Sequence, residues 1–331
     1  MGQVGRRHFL IATGALLAAP RTGRAQQPGR TYRVVALFGG VTDGIQLYRS
    51  ALSERLSTHG FVEGRNLRIE LRAGRFGYVG GGDPRSDLLA VKPDAIFTLF
   101  LGATESAQSV TRTVPIVFAW VAAPVASGIV QSYARPGGNI TGVSNRFGDL
   151  LVKRLELARD LLPSVKRVAV LYTLGPRYTL LSPPLRRAAA QLGIDLIELD
   201  LAVALTWVNG VERAVSEGAQ VIIPFFAFYP AGWGAVGKQV VRTATKLGVP
   251  VIFADAEMVE AGGLMSYGTN LVDDVRRGAD LLARVLKGEK PANLPVDQAA
   301  RFELAVNLKT AKALGIAIPT SIMLRADRVI E

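Results

Sequence analysis

Short unbroken apolar runs alternate along this chain with segments whose apolar residues recur at helical spacing. Tyr32–Phe38 is an apolar run with β-branched residues, which predicts a strand buried on both faces. Ile45, Tyr48, Leu52 and Leu56 then mark one face of a helix that stops at Gly60. The same alternation predicts strands at Leu67–Leu71, Asp94–Phe100 and Val114–Trp120, a glycine-rich loop at 77–82, and helices from about Asp83 and over 103–111. Asn139–Val143 reads as a strand leaving this unit. A second unit follows, with helices over 148–161, 184–192, 206–217 and 234–247. Its strands are expected at Arg167–Tyr172, Asp195–Leu199, Gln220–Phe226 and Pro250–Phe253. A strand near Gly263–Asn270, a long helix over 271–287, the run Phe302–Asn307 and a helix over 308–314 complete lobes already built. The pattern predicts two Rossmann-like, doubly wound α/β lobes with parallel sheets, joined by several crossing segments. In such sheets ligands bind beyond the carboxyl ends of the strands, so two facing lobes enclose a cleft suited to hinge closure.

The first 25 residues depart from this rhythm. A basic start (Met1 to Arg7), an apolar run (Phe9 to Ala19) and small residues at Gly23 and Ala25 have the form of an export signal. Arg6-Arg7-His8-Phe9-Leu10 resembles the R-R-x-F-L core of a twin-arginine signal, so we expect cleavage near Ala25 and a periplasmic product. The apolar run is too short for a permanent membrane span. Arginines 6, 7, 21 and 24 supply four of the +12 charges, which leaves +8 after cleavage. The remaining basic residues are scattered, and no helix-turn-helix precedes the first strand, so a nucleic-acid partner is not expected.

Composition narrows the chemistry further. There is no cysteine, and the two histidines are His8 and His59. Zinc sites built from Cys and His, and Cys–His nucleophilic pairs, are excluded on that basis. Gly39-Gly40 are followed by glycine spacing wrong for a dinucleotide site. Gly232 to Lys238 matches the first seven positions of a phosphate loop, but Gln239 replaces the hydroxyl that would hold magnesium, and a plain helix start is expected there. No nucleophile elbow occurs. Asp273-Asp274 sit at a helix start, where carboxylates meet the positive end of the dipole. No enzyme activity, metal or cofactor is expected.

Six blocks carry a resemblance to a known family: Thr113–Phe118, Ala134–Gly142, Ala261–Gly268, Leu286–Val296, Asn307–Gly315 and Arg325–Ile330. With them the chain resembles ABC-transporter substrate-binding proteins, whose members include tryptophan/tyrosine uptake proteins. The resemblance implies a type I periplasmic-binding fold with three hinge crossings, near 142–146, 266–270 and 298–304. It places 31–143 plus 269–298 in lobe I and 144–268 plus 302–331 in lobe II. It also implies an ABC permease as membrane partner, a small-molecule solute as cargo, and a monomer that captures this solute between its lobes. An exported ligand-sensing module for a membrane receptor is the alternative.

The strand ends provide the candidate ligand residues: Gly39, Gly40, Gly102, Ala103, Thr104, Trp120, Tyr172, Tyr178, Phe226, Asp255, Ser266 and Tyr267. Thr104 is expected to open a helix whose free amides hold a carboxylate. Trp120, Tyr172, Phe226 and Tyr267 are expected as walls for an aromatic or apolar group. The family commonly has Asp before Pro-Val after the fourth strand, where this chain has Ala123. It also tends to place Ser or Thr beyond the third strand, where Leu101-Gly102 stand here. The expected ligand is therefore a small carboxylate-bearing molecule, aromatic or amino-acid-like, with Asp255 as the acid open to an amine.

Overall fold

A computed structural model describes residues 29–39, 45–74, 88–173, 178–201, 206–225 and 233–331. The expected leader, the loop at 77–82 and the helix start near Asp83 lie outside these residues. Strand β1 (Tyr32–Gly39) is buried along nearly its whole length because it runs in the interior of a parallel sheet. Helix α1 (Ile45–Thr58) follows, then strand β2 (Leu67–Gly74) at the sheet edge. The expected strand ended at Leu71. Pairing with β1 carries it on to Gly74, because an edge strand tolerates a polar residue such as Arg72. Strand β3 (Ala95–Leu99), helix α2 (Leu101–Val110), strand β4 (Ile116–Val121) and strand β5 (Ile140–Ser144) extend the sheet, with every pairing parallel.

The chain crosses to a second sheet at 145–146 and enters helix α3 (Phe147–Leu161) and strand β6 (Arg167–Tyr172). Helices α4 (Tyr178–Leu181) and α5 (Pro183–Leu192) lead to strand β7 (Asp195–Asp200), and helix α6 (Trp207–Ser216) to strand β8 (Val221–Phe225). Helix α7 (Trp233–Lys246) then precedes strand β9 (Ile252–Phe253), helix α8 (Ala256–Glu260) and strand β10 (Met265–Gly268). Strand β9 is shorter than expected. Pro250 offers its carbonyl to Ile222 but has no N–H to continue the ladder, and Val251 makes only a lone bridge.

At 269–270 the chain returns to the first sheet as helix α9 (Leu271–Leu286), which packs on α1, β3, β4 and β5. Gly278 allows that close approach: a Cβ there would lie 2.9 Å from Phe97 Cε2. Strand β11 (Asp297–Gln298) pairs with β5, and the chain crosses a third time at 299–302. Strand β12 (Glu303–Asn307), helices α10 (Leu308–Ala313) and α11 (Thr320–Met323), and strand β13 (Arg328–Ile330) complete the second lobe.

The first sheet has the order β11-β5-β4-β3-β1-β2. In the second lobe β7-β6-β8 and β13-β12-β10-β9 are joined through the Ile222–Val251 bridge. The break in rhythm near Gly263 has a topological cause, since β10 takes an antiparallel partner in β12. Residues 31–331 form one compact unit. One apolar cluster runs through both lobes, and two smaller clusters cover the remaining sheet faces.

Candidate functional site

On the lobe I side the site is built at the carboxyl ends of β1, β3 and β4. Helix α2 begins at Leu101, two residues earlier than expected, behind Phe100, whose φ of 72° and ψ of 160° turn the chain sharply with no side-chain cap. Its first amides therefore lie outside the intrahelical ladder, which starts with Thr104 N–H donating to Phe100 O at 3.2 Å. Gly39 comes alongside: the atoms nearest a Cβ built on it are Leu99 O at 3.4 Å and Ala103 Cβ at 3.5 Å. The structure thus brings Gly39, Gly102 and Ala103 together around an uncapped helix N-terminus. Thr104 does not play its expected part. It lies inside the first turn, fully buried, donating to Phe100 O at 2.9 Å and sharing a hydrogen bond with Thr98 Oγ1 at 2.8 Å. Its hydroxyl serves the packing of α2 on β3 rather than a ligand.

Trp120, next to last in β4, has a left-handed φ of 58°, and Ala123 beyond the strand has φ 43°. With Phe100, three non-glycine residues at these strand ends occupy a region that costs backbone energy, a form of strain that clusters at ligand sites. The β4–β5 register slips between Phe118 and Val121 to accommodate the turn. Trp120 packs edge-on against Phe100, centroids 5.1 Å apart, and its indole N–H donates to Thr269 Oγ1 of the second crossing at 3.2 Å.

From lobe II, Tyr172 is half-buried and stacks on Tyr178 with centroids 3.8 Å apart. Tyr178 is only 1 % exposed and meets Phe225 edge-on, so it supports Tyr172 from within the core instead of facing a ligand. Burial pushes its phenol well above the usual range, and Glu198 adds to the effect. Asp255 caps α8, Oδ1 accepting from Met258 N–H at 3.2 Å. Ser266 and Tyr267 alternate on β10. The Ser266 hydroxyl is buried with no hydrogen-bond partner among the described residues, and the Tyr267 ring sits 5.9 Å from that of Phe302. Gly40 and Phe226 lie outside the described residues.

A cavity of about 310 Å³ opens between the lobes, with Leu47 and Tyr48 of α1 on one side and Asp255 and Glu257 on the other. Thr269 and Asn270 of the second crossing form part of its wall. The Tyr48 phenol is pushed above its ordinary range, first by burial, then by Glu257 and Asp255. Sequence reasoning assigned Tyr48 to the helix face toward the core and missed its place in the cleft. It also missed Arg154, a fully buried residue of α3 whose Nε–H donates to Tyr267 O at 2.8 Å. A signal existed there: Arg154 interrupts the apolar stripe of Leu150, Leu151, Leu155 and Ala158. Among the described residues no group of three or more acidic or histidine side chains is placed to hold a metal, and no helix is long and apolar enough to cross a membrane.

Two α/β lobes joined by three crossings define a type I periplasmic-binding-protein-like fold. Residues 83–330 match the family described as ABC transporter substrate binding protein, and the chain belongs to that family. It is 23 % identical over 260 residues to a tyrosine-binding protein of Clostridioides difficile (strain R20291), covering 78 % of this chain and 74 % of that protein. A conserved domain protein from Vibrio cholerae superposes with a TM-score of 0.78 at 26 % identity, covering 91 % of this chain and all of the other. An ABC domain from Streptococcus pneumonia in complex with L-Trp superposes with a TM-score of 0.77 at 22 % identity, again over 91 % of this chain and all of the other.

Proposed function

We propose that this protein is exported to the periplasm, captures a small aromatic carboxylate in the interlobe cleft and delivers it to an ABC permease. The observation that carries the reading is the start of α2 behind Phe100, a helix N-terminus with no side-chain cap that Gly39 approaches closely and that would favour a carboxylate. Trp120 and Tyr172, at strand ends of the two lobes, suit an aromatic ring. The tyrosine-binding and L-Trp-bound relatives support the same ligand class. Asp255, from the opposite lobe, is the acid that meets an ammonium group where Ala123 replaces the family's usual Asp.

Thermal-shift titration with L-tyrosine, L-tryptophan and the corresponding aromatic acids lacking the amine tests this reading. A ligand at a hundred times its dissociation constant adds about 2.7 kcal/mol to stability. The expected result is a shift with at least one aromatic carboxylate, and none with the matching aromatic amine that lacks the carboxylate. Equal shifts with and without the carboxylate would remove α2 from the site.

A further inference from the structure

The backbone pairs the three crossings two at a time. The first and third leave lobe I side by side: β5 and β11 run parallel through Ser144 and Gln298, and Ala299 N–H donates to Ser144 O at 3.0 Å. Toward lobe II the third crossing changes partner, with Glu303 opposite Gly268 in the antiparallel pair of β12 and β10. Residues 145–146, 269–270 and 300–302 lie between these two ladders. A hinge turns where a few residues outside regular pairing can change φ and ψ, so the rotation of the lobes belongs to this gap.

Phe302 stands in the gap. Its ring meets that of Tyr267, at the end of β10, with centroids 5.9 Å apart and planes tilted by 34°. The Arg146 guanidinium lies over the same Phe302 ring, 5.9 Å from its centroid. One side chain of the third crossing therefore touches the first crossing and the approach to the second, each within the range of favourable ring and cation contacts. Both partners are themselves held. Tyr267 O accepts from Nε–H of the buried Arg154 at 2.8 Å. Arg146 has a left-handed φ of 52°, and its carbonyl accepts from Asp149 N–H at 3.0 Å in the first turn of α3. Arg154 belongs to that same helix, so the contacts close a circuit from Arg146 through Phe302, Tyr267 and Arg154 back along α3.

We propose that Phe302 is a hinge-positioning residue: its ring, set where backbone pairing changes partner, makes the three crossings turn together and confines the ligand-free protein to a narrow range of interlobe angles. Without the ring, each crossing twists in the gap independently of the others, and arrangements away from the preferred angle gain population. Phe302 is half-buried and lines a cavity of about 250 Å³, so its truncation widens a space that already exists instead of opening a void in the core. The inference rests on the two-lobed fold and not on the identity of the ligand.

The chain has no cysteine, so Ser57→Cys on lobe I and Ser216→Cys on lobe II accept a pair of spin labels without background. Both positions are exposed. Electron resonance then reads the interlabel distance distribution of the ligand-free protein. Phe302→Ala removes both contacts, and the share of molecules outside the wild-type distance range should rise at least about fivefold. Arg146→Gln removes the cation alone and should raise that share about threefold. Phe302→Tyr keeps the ring and should restore the wild-type distribution. Asp149→Asn breaks the 3.0 Å pair with Arg146 Nε but leaves the cation over the ring, and should also keep the wild-type distribution. A wild-type distribution in Phe302→Ala overturns the proposal, and so does broadening in Phe302→Tyr or Asp149→Asn equal to that in Phe302→Ala. Should Phe302→Ala fail to fold, Arg146→Gln decides alone, and a wild-type distribution there overturns the proposal. Because no ligand is added, failure here is distinct from failure of the aromatic-carboxylate reading.

Discussion

Replacing Gly268 by alanine tests whether the end of β10 sets the position of the lobe II wall of the cleft. A Cβ at 268 would lie 1.8 Å from Ala254 O and 2.9 Å from the Ala254 carbonyl carbon. A carbon rests no closer than about 3.3 Å to a carbonyl oxygen, so the obstructing oxygen must retreat by about 1.5 Å. That oxygen belongs to backbone that cannot rotate away as a side-chain tip could. It sits between the two-residue strand β9 and Asp255, which caps α8. Overpacking usually costs about 1–3 kcal/mol, and a backbone obstacle puts this case at about 3 kcal/mol or more. For a chain of this size the melting temperature should then fall by about 4 °C or more. The control is Gly148→Ala in α3, where nothing lies within 4 Å of the new methyl. There the gain in helix propensity should stabilise by up to about 1 kcal/mol. Differential scanning calorimetry of both variants decides the matter. A Gly268→Ala protein that melts with wild type would show that β10 and β9 are not held as close as described, and the placement of Asp255 would fall with it.

Trp120→Phe keeps most of the ring packing on Phe100 but removes the N–H that reaches Thr269. A loss of about 1 kcal/mol in urea unfolding is expected, and no loss would mean that the indole bond adds nothing. Burial works against the charge on Asp280, but hydrogen bonds from Arg55 and His59 outweigh it and hold the carboxyl below its ordinary range. This lowered group stabilises the fold above about pH 4 and loses its contribution as pH falls through the folded value, so Asp280→Asn should differ from wild type at neutral pH and converge with it in acid. Both sides of the pair are about one-third exposed or more, which limits the neutral-pH difference to about 1 kcal/mol in chemical denaturation; an unchanged difference at acid pH would contradict the ion-pair account. Ala123→Asp restores the acid common in the family at a left-handed position that aspartate tolerates. Calorimetric titration should show about tenfold stronger preference for an aromatic amino acid over its amine-free analogue, near 1.4 kcal/mol, and no change in that preference would place Ala123 away from the amine.

Elements with a strong local signal were readable before any coordinates. The apolar run at Tyr32–Phe38 read as a strand buried on both faces, and Asp273-Asp274 read as the start of the long helix α9. Boundaries were lost where partners decide them, as at β2, which edge pairing lengthens, and at β9, which Pro250 cuts short. For the candidate site, only the places of some residues in the fold were legible. Strand ends pointed to Gly39, Gly102, Ala103 and Trp120, because open α/β sheets present those positions to a common crevice.

By itself the sequence determined the order of strands and helices, the two-lobed class and the absence of thiol chemistry, since periodicity and composition act locally along the chain. Only the tertiary structure decided which polar groups are spent on the fold and which remain for a ligand or a hinge. Thr104 and Tyr178 passed into the core because their partners, Thr98, Phe100, Tyr172 and Phe225, close over them. Asp274 differs from its neighbour Asp273 because one helical step, about 100°, turns one carboxylate to water and the other into the seam between α9 and the crossings. Burial and hydrogen-bond satisfaction depend on contacts between segments far apart in sequence, and no local pattern records them.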